Sequence, residues 1–213
     1  VFVVAPWVKV WDTQAGAVAV QPASGRVAGM ICARDNTRGF WWSPSNQPVS
    51  GIVGVSRPVD FSLSDTNSQA NFLNENEVAT IIHRDGYRLW GNRTTASDPL
   101  FAFLSVRRTC DMVYESVEEA LLWAMDRPLS ANLIHDVRES VAAYLRHLTA
   151  LGALLGGRCW LDEELNAKEQ LMAGKLYLDF DLEPPAPLEH LVFRAHRENG
   201  YYEELVSRVA STQ

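Results

Sequence analysis

The pattern that most constrains the fold is an apolar stripe of helical period in the second half of the chain. It runs over residues 133–151, at intervals that place its members on one face of an α-helix. Ser130 or Asn132 can cap the start of this helix, and glycines from Gly152 onward can end it. The stripe consists of Leu133, Ile134, Val137, Val141, Tyr144, Leu145, Leu148 and Leu151.

Strand patterns accompany this helix. Residues 80–83 and 87–90 are apolar runs that flank an Asp-Gly pair, which is a strong hairpin signal because both turn residues tolerate positive φ. Residues 175–182 alternate apolar and polar side chains, as a half-buried strand does. Residues 1–11 predict a further, buried strand. Helix and strand patterns together predict an α/β (α+β) fold, with a mixed β-sheet flanked by helices.

Shorter segments complete the prediction. Trp90 and Trp123 are expected in the core with the helical stripe. Residues 184–187 read PPAP, a stiff spacer that introduces an extended C-terminal arm at about residues 189–213. We divide the chain at residue 100 and expect residues 1–100 and 101–213 to form one continuous globular unit. The other predicted elements are a helix over 26–33 capped by Ser24, strands over 52–55 and 59–63, a short helix or tight loop over 71–74, a helix over 105–125, a strand over 159–162, a helix over 163–172, a strand over 190–197 and a terminal helix or arm over 201–209.

Composition excludes several classes of protein. The 213-residue chain carries a formal net charge of −7, which gives no support to binding driven by nucleic-acid phosphates. No apolar run approaches the roughly 20 residues that a membrane-spanning helix needs. We therefore expect neither nucleic-acid binding nor membrane insertion. Val1 opens a segment that already has strand character, so we interpret the chain as the C-terminal portion of a longer protein.

No residue pattern predicts a catalytic, metal or cofactor site. The five histidines lack HExxH and HxxxH spacing, and the three cysteines are far apart without a CxxC pair. A GxSxG elbow and a glycine-rich phosphate loop are also missing from the sequence. Asp162, Glu163 and Glu164 are consecutive, and we interpret them as acids at a helix N-terminus. We expect no enzyme activity and no cofactor.

Two clusters each allow two interpretations. The aromatic residues Phe40, Trp41 and Trp42 can form a plug over the core or an exposed binding patch. Arg107 and Arg108 can lie on a solvated helix face or in internal ion pairs, or they can contact an acidic partner.

Several sequence blocks, taken in order, cover nearly the whole chain and belong together. No single block is enough to identify a protein family, whereas the whole set in this order is specific. They are residues 22–29 (PASGRVAG), 33–46 (ARDNTRGFWWSPSN), 73–76 (LNEN), 86–94 (GYRLWGNRT), 105–108 (SVRR), 151–157 (LGALLGG), 166–178 (ending GKLYL) and 184–189 (PPAPLE).

This ordered set resembles the contractile tail sheath family of temperate myophages, which includes the R-type pyocin sheaths. The resemblance implies a structural subunit that polymerises with identical copies around a tail tube protein, between baseplate and tail terminator proteins. Contraction of that polymer would drive the tube through the host envelope. The resemblance further implies a place in the virion tail after assembly in the host cytoplasm. A sheath-like module of another contractile injection system, or an unrecognised hydrolase, stays open as an alternative.

The resemblance also implies that extended arms link neighbouring subunits by adding strands to each other's sheets. The candidate strand of this arm consists of Leu191, Val192, Phe193, Arg194 and Ala195, and the sequence does not decide whether it pairs within or between subunits. We predict that four arginines contact the tube or a neighbouring subunit. They are Arg84, Arg88, Arg107 and Arg108.

Overall fold

The structure is a computed structural model that describes residues 1–210, so the last three residues of the predicted arm lie outside the described residues. The strands are β1 (Val3–Ala5), β2 (Val8–Asp12), β3 (Ala17–Gln21), β4 (Gly54–Val55), β5 (Val78–His83), β6 (Tyr87–Trp90), β7 (Gly156–Leu161) and β8 (Leu178–Glu183). The helices are α1 (Ala23–Arg38), α2 (Gln69–Glu75), α3 (Leu104–Ala120), α4 (Ala131–Ala150), α5 (Lys168–Met172) and α6 (Tyr201–Ala210).

The strands form three small sheets. In the first sheet β5 lies between β1, which is parallel to it, and β6, which is antiparallel. In the second sheet β2 lies between β3 and β4, and both pairings are antiparallel. The third sheet is the antiparallel pair β7–β8. The predicted α+β class with a mixed sheet is confirmed, although the strands are divided over three sheets.

The predicted hairpin is confirmed as β5–β6. Thr80 pairs with Trp90 and His83 pairs with Tyr87. The turn residue Asp85 has φ 49° and Gly86 has φ 95°. The Asp-Gly pair therefore adopts the left-handed conformations that made it a hairpin signal.

The long amphipathic helix is confirmed as α4, and both of its ends match their sequence signals. The Ser130 hydroxyl accepts a hydrogen bond from the Leu133 amide at 3.2 Å. After the helix, Gly152 adopts φ 76°, and the Ala153 amide donates to the Leu148 carbonyl at 2.9 Å. This is the Schellman arrangement that a glycine just past a helix end allows.

The largest core cluster forms around α4. Phe40 and Trp41 pack against it, as the plug interpretation predicted, whereas Trp42 stays largely exposed with the Arg34 guanidinium 5.0 Å from its ring centre. The buried residues of this cluster are Val113, Val141, Leu145, Leu148, Ala153 and Leu154.

Two smaller clusters lie between α1 and the first two sheets. Both depend on α1, which contributes Ala23 to one cluster and Val27 to the other. The remaining buried members are Val8, Val10, Val55 and Ile81 in the first, and Val49, Ala79 and Leu89 in the second.

Several predicted elements in the first half are wrong in extent. Residues 1–11 form two strands in different sheets, with a cis Ala5–Pro6 peptide bond between them. Helix α1 begins after Pro22, so Ser24 lies inside it, and it continues to Arg38. The predicted strand over 52–55 is reduced to β4, residues 59–63 form no strand, and β3 was not predicted.

Predicted helices in the second half are shorter than expected. Residues 163–167 are not helical because Asp162 Oδ1 accepts the amides of Glu164 and Leu165, both at 2.9 Å, and holds a turn. The helix predicted over 105–125 ends at Ala120. Trp123 follows on a short 3₁₀ turn and is 38% exposed, so its core assignment is wrong. Trp90 is half-buried.

Candidate assembly interface

The C-terminal arm leaves the body without forming its predicted strand. We call residues 1–188 the body and residues 189–210 the arm. Pro184 is buried at the start of the spacer, but residues 184–199 have no regular secondary structure. Apart from Gly200, every arm residue is exposed, and Phe193 is 85% exposed. The strand predicted over 190–197 is therefore not formed in the isolated chain, whereas the predicted terminal helix is confirmed as α6.

A two-point ion pair joins Glu189, the first residue of the arm, to Arg93 of the body. Arg93 Nη2 donates to Glu189 Oε2 at 2.7 Å, and Arg93 Nε donates to Glu189 Oε1 at 3.1 Å. The Arg93 guanidinium also lies 4.9 Å from the centre of the Phe103 ring. Hydrogen bonding to the Glu189 carboxylate raises the pKa of Arg93 above its ordinary value. Sequence reasoning missed this contact, and its only signal was the position of both residues inside blocks of the resemblance.

The β7–β8 sheet is the smallest in the structure, and both of its outer edges are open. Within residues 1–210 neither β7 nor β8 pairs with a third strand. One face packs on α4, where a side chain at Gly157 would come within 3.3 Å of Leu145. Two unpaired edges on a supported sheet are a template for an added strand.

A charged pair couples the two strands of this sheet. Asp181 Oδ1 accepts the Arg158 amide at 2.7 Å, and Asp181 Oδ2 accepts Arg158 Nη2 at 2.8 Å. Hydrogen bonding to the Arg158 guanidinium lowers the pKa of Asp181. The strands are thus joined by side chains as well as by the backbone ladder.

The structure places Arg84 and Arg88 at the β5–β6 turn. Arg84 is exposed, whereas Arg88 is half-buried. Arg88 Nε donates to the Arg84 carbonyl at 3.1 Å, and Arg88 Nη1 donates to the Asn46 carbonyl at 3.0 Å. Arg88 therefore holds the turn against the loop that precedes β4, and Arg84 is the more available of the two.

Arg107 and Arg108 lie on α3 and have different environments. Arg107 is exposed and pairs with Asp111 one helical turn on, with Nη2 2.6 Å from Oδ1. Arg108 is half-buried and forms a two-point ion pair with Asp35 of α1. Hydrogen bonding to Asp35 raises the pKa of Arg108. The structure thus joins Arg108 to the internal contacts of the body, and the role of all four arginines toward a partner stays a prediction.

The residues with reactive or ligating side chains are dispersed. Burial raises the pKa of the Cys110 and Cys159 thiols, which keeps both protonated at neutral pH. Among residues 1–210 no three histidine, cysteine, aspartate or glutamate side chains gather closely enough to hold a metal ion. Over the same residues, no helix combines the length and apolar character that a membrane crossing requires.

Family models account for nearly all of the chain. Residues 1–95 match the phage tail sheath protein central domain, and residues 96–197 match the phage tail sheath C-terminal domain. The chain therefore belongs to the phage tail sheath family, which is a family of structural proteins.

Individual relatives agree with this assignment. The chain is 40% identical over 201 residues to the tail sheath protein of Escherichia phage P2, covering 94% of the chain and 51% of that protein. It is 40% identical over 205 residues to a putative prophage major tail sheath protein of Pseudomonas aeruginosa (strain UCBPP-PA14), covering 96% of the chain and 53% of that protein. The chain thus spans about half the length of the curated relatives it matches.

A solved sheath has the same fold. The cryo-EM structure of the anti-feeding prophage helical sheath in its contracted state superposes with a TM-score of 0.80 at 25% identity. The match covers 92% of this chain and 55% of the other. The α+β architecture described above is therefore a sheath architecture.

Proposed function

We propose that this chain is the central and C-terminal part of a structural subunit that polymerises helically around a tail tube and contracts to drive the tube through the host envelope. The observation that carries the proposal is the combination of an exposed arm with an open-edged sheet. The arm strand, residues 191–195, has the side chains of a strand but no partner strand within residues 1–210. A neighbouring copy offers the missing partner in β7–β8.

Strand addition suits a polymer whose subunits move relative to one another while they stay linked. Main-chain hydrogen bonds give the joint its strength, and alternating side chains fix its register. The bodies can slide and rotate as rigid units because the linking segment bends while the shared sheet does not. Contraction needs no nucleotide in this scheme, since the extended polymer is a trapped state that gains contacts between subunits when it is released.

The proposal gives each of the four arginines a role and names the partners of the subunit. Arg84 and Arg107 are exposed and are the candidates to contact the tube or a neighbouring subunit, with Arg88 and Arg108 positioning the segments that carry them. Identical subunits, the tube, the baseplate and the tail terminator are the proposed partners, in a virion tail assembled in the host cytoplasm. The role is structural and calls for no catalytic residue, and the body, residues 1–188, acts as one unit from which the arm extends.

A second candidate is the corresponding sheath of an extracellular contractile injection system. The structural match to the anti-feeding prophage sheath supports this alternative. The higher identity to sheath proteins of a phage and a prophage supports the tail.

Proline substitution in the arm strand tests strand addition. Adjacent amides of a strand point to opposite sides, so either Val192→Pro or Phe193→Pro must remove an amide that bonds the acceptor sheet. We expect at least one of these variants to abolish sheath polymerisation, seen by negative-stain electron microscopy, in a full-length subunit that carries this sequence. Phe193→Val is the matched control, because it keeps both the amide and the strand preference.

Folding of the variants has to be checked separately. Both proline variants should unfold at the same urea concentration as the parent chain, because the arm strand has no partner strand among residues 1–210. Unchanged polymers from both variants would refute strand addition by this arm. The 213-residue chain alone should be a monomer or weak oligomer, and size-exclusion chromatography showing a tight closed ring would contradict that expectation.

A further inference from the structure

The free edge of β8 carries an acid at every outward position. The alternate, inward residues of this strand pack against the main core cluster. The outward residues are Asp179, Asp181 and Glu183. Asp181 is paired with Arg158 of β7, whereas no side chain among residues 1–210 hydrogen-bonds to or pairs with the Asp179 carboxylate. This edge therefore presents a row of carboxylates, one of which has no partner in the described chain.

The other strand edges lack this row of acids. The outward residues of β7 are Gly156, Arg158 and Trp160, with the Arg158 guanidinium 5.8 Å from the centre of the Trp160 ring. Strands β1 and β3 contain no acidic residue, and β4 has only two residues. Residues 46–49 already bond to the outer edge of β6. Within residues 1–210, β8 is thus the one strand with a free and acidic edge.

The arm strand alternates in the complementary way. Its apolar residues Leu191, Phe193 and Ala195 alternate with His190, Val192 and Arg194. When the apolar set faces the core of an acceptor, Arg194 lies on the outward face of the acceptor sheet. Beside β7 it would share that face with the like charge of Arg158, whereas beside β8 it would lie among carboxylates. Charge therefore favours the β8 edge.

We infer that residues 190–195 of one copy add antiparallel to the free edge of β8 in a second copy, with Arg194 opposite Asp179. The inference rests on the proposed function and specifies its junction. In this register the two six-residue segments overlap along their whole length, apolar residues face apolar residues, and the unpaired carboxylate receives the arginine. The opposed pairs are His190–Glu183, Leu191–Leu182, Val192–Asp181, Phe193–Phe180, Arg194–Asp179 and Ala195–Leu178.

The antiparallel register explains the charges better than a parallel one. A parallel strand of residues 191–196 on β8 would place Arg194 opposite Asp181, which Arg158 already pairs, and would leave the Asp179 carboxylate opposite Val192. The antiparallel register also gives cover to an open part of the core. Tyr114 of α3 is 42% exposed with its ring centre 6.0 Å from that of Phe180, next to which the inward ring of Phe193 would lie.

A second copy suits this register better than the arm's own body. Within one chain, residues 184–189 would have to form the loop that turns the arm strand back onto β8. Three of these six residues are prolines, which hold the backbone extended. Glu189 is bonded to Arg93 immediately before the strand would have to begin. In the structure residues 190–195 are accordingly exposed and form no strand.

Charge exchange between Arg194 and Asp179 tests the edge and the register in full-length subunits that carry this sequence. Arg194→Asp or Asp179→Arg places like charges opposite each other and should raise the concentration of subunit left in solution above pelleted polymer by about tenfold. A subunit with both substitutions should return to within about threefold of the parent. Glu163→Arg, at an exposed acid beyond the end of β7, is the matched control and should change this concentration by less than about twofold.

Two results of the charge exchange would overturn the inference. One is that neither single substitution changes polymerisation. The other is that the double variant polymerises no better than the single variants, because opposed partners have to compensate each other.

Disulfide trapping compares the two edges of the acceptor sheet directly. All subunits carry Cys32→Ser, because Cys32 is an exposed thiol. One tagged subunit carries Arg194→Cys, and its partner carries Asp179→Cys or the control Trp160→Cys, whose position lies opposite Asp179 on the same face of β7. On oxidation of the copolymers we expect several times more linked dimer with Asp179→Cys. Equal yields, or a higher yield with Trp160→Cys, would overturn the inference.

A subunit that carries both Arg194→Cys and Asp179→Cys separates a neighbour from the arm's own body. Below the concentration at which polymers form, we expect little disulfide within one chain. A linked monomer with a yield that does not depend on concentration would mean that the arm strand folds back onto its own β8, and would also overturn the inference.

The outcomes distinguish this inference from the proposed function. Polymers that an arm proline abolishes but that ignore the charge exchange would keep strand addition and remove its assignment to Asp179 on β8. Polymers that ignore both arm prolines would remove the arm strand from the sheath role altogether.

Discussion

The body and the arm use the same kinds of residue in opposite ways. In the body, leucines and valines close three core clusters, and Leu145 is completely buried. In the arm, Leu191, Val192 and Phe193 are exposed, as is every residue of α6. The body thus supplies its own folding partners, whereas the apolar side chains of the arm have none in the described chain. The difference supports the proposal that the apolar residues of the arm serve contacts between molecules.

Truncating a core side chain of the body should cause the largest loss of stability. Leu145→Ala removes a buried side chain from the main cluster, and we expect a loss of about 3–5 kcal/mol in the free energy of unfolding. Urea denaturation followed by circular dichroism measures it. Leu205→Ala in α6 is the matched control and should change stability by less than about 0.5 kcal/mol. Similar losses for both would mean that α6 packs on its own body.

The ion pair between α1 and α3 should come next. Asp35→Asn leaves the Arg108 guanidinium, whose side chain is 29% exposed, without its carboxylate. We expect a loss of about 2 kcal/mol in unfolding free energy at neutral pH. Asp111→Asn breaks the exposed pair with Arg107 on the same helix and should cost less than about 0.5 kcal/mol. Equal effects would show that Asp35–Arg108 behaves as a surface pair.

Removing the cap of α4 should have a smaller effect. Ser130→Ala deletes the oxygen that accepts the Leu133 amide, and we expect a loss of about 1 kcal/mol. Ser130→Asp keeps an acceptor and should restore most of that stability. If alanine and aspartate gave the same stability in thermal denaturation, the cap would contribute nothing measurable.

Releasing Glu189 should barely change global stability and should instead let the arm, which is already exposed to solvent, move more freely where it leaves the body. Glu189→Gln removes an ion pair between half-exposed side chains, so we expect a loss of less than about 1 kcal/mol in unfolding free energy. A nitroxide label on His190→Cys, in a chain that also carries Cys32→Ser to remove an exposed thiol, should give a sharper electron paramagnetic resonance spectrum with Glu189→Gln, because the neighbouring residue is no longer held to Arg93. Arg93→Lys keeps the charge without the two-point geometry and should give an intermediate line width. An unchanged spectrum would mean that this pair does not restrain the arm.

Sequence patterns predicted the elements whose signals are local. Helix α4 follows from its stripe, the hydroxyl of Ser130 and the glycine at position 152, all of which act within a few residues. The β5–β6 turn likewise follows from the Asp-Gly pair. The division of residues 1–11 into two strands was missed because β1 is set by its pairing with the distant strand β5. Strand β3 was missed although its partner β2 is adjacent in sequence and Gly16, which adopts φ 60°, lies between two alternating runs that indicate a hairpin.

Only part of the candidate interface could be predicted from the sequence, because some of its contacts join residues that are far apart in the chain. The proline-rich spacer and the arm strand could be picked out from composition and from the family resemblance. The Arg93–Glu189 pair joins residues 96 positions apart, and nothing local indicates it. Arg107 and Arg108 are adjacent in sequence, yet Arg107 faces solvent and Arg108 forms an ion pair with Asp35 of α1, 73 positions away, which nothing local indicates.

The short linker of residues 196–200 has a consequence for the order of events in the proposed assembly. Under that proposal, a neighbour that captures the arm strand also holds α6 within a few residues of its own surface. Any contact between α6 and that neighbour would then form at an effective concentration on the order of millimolar. Such a contact would add avidity to the junction although it is weak by itself.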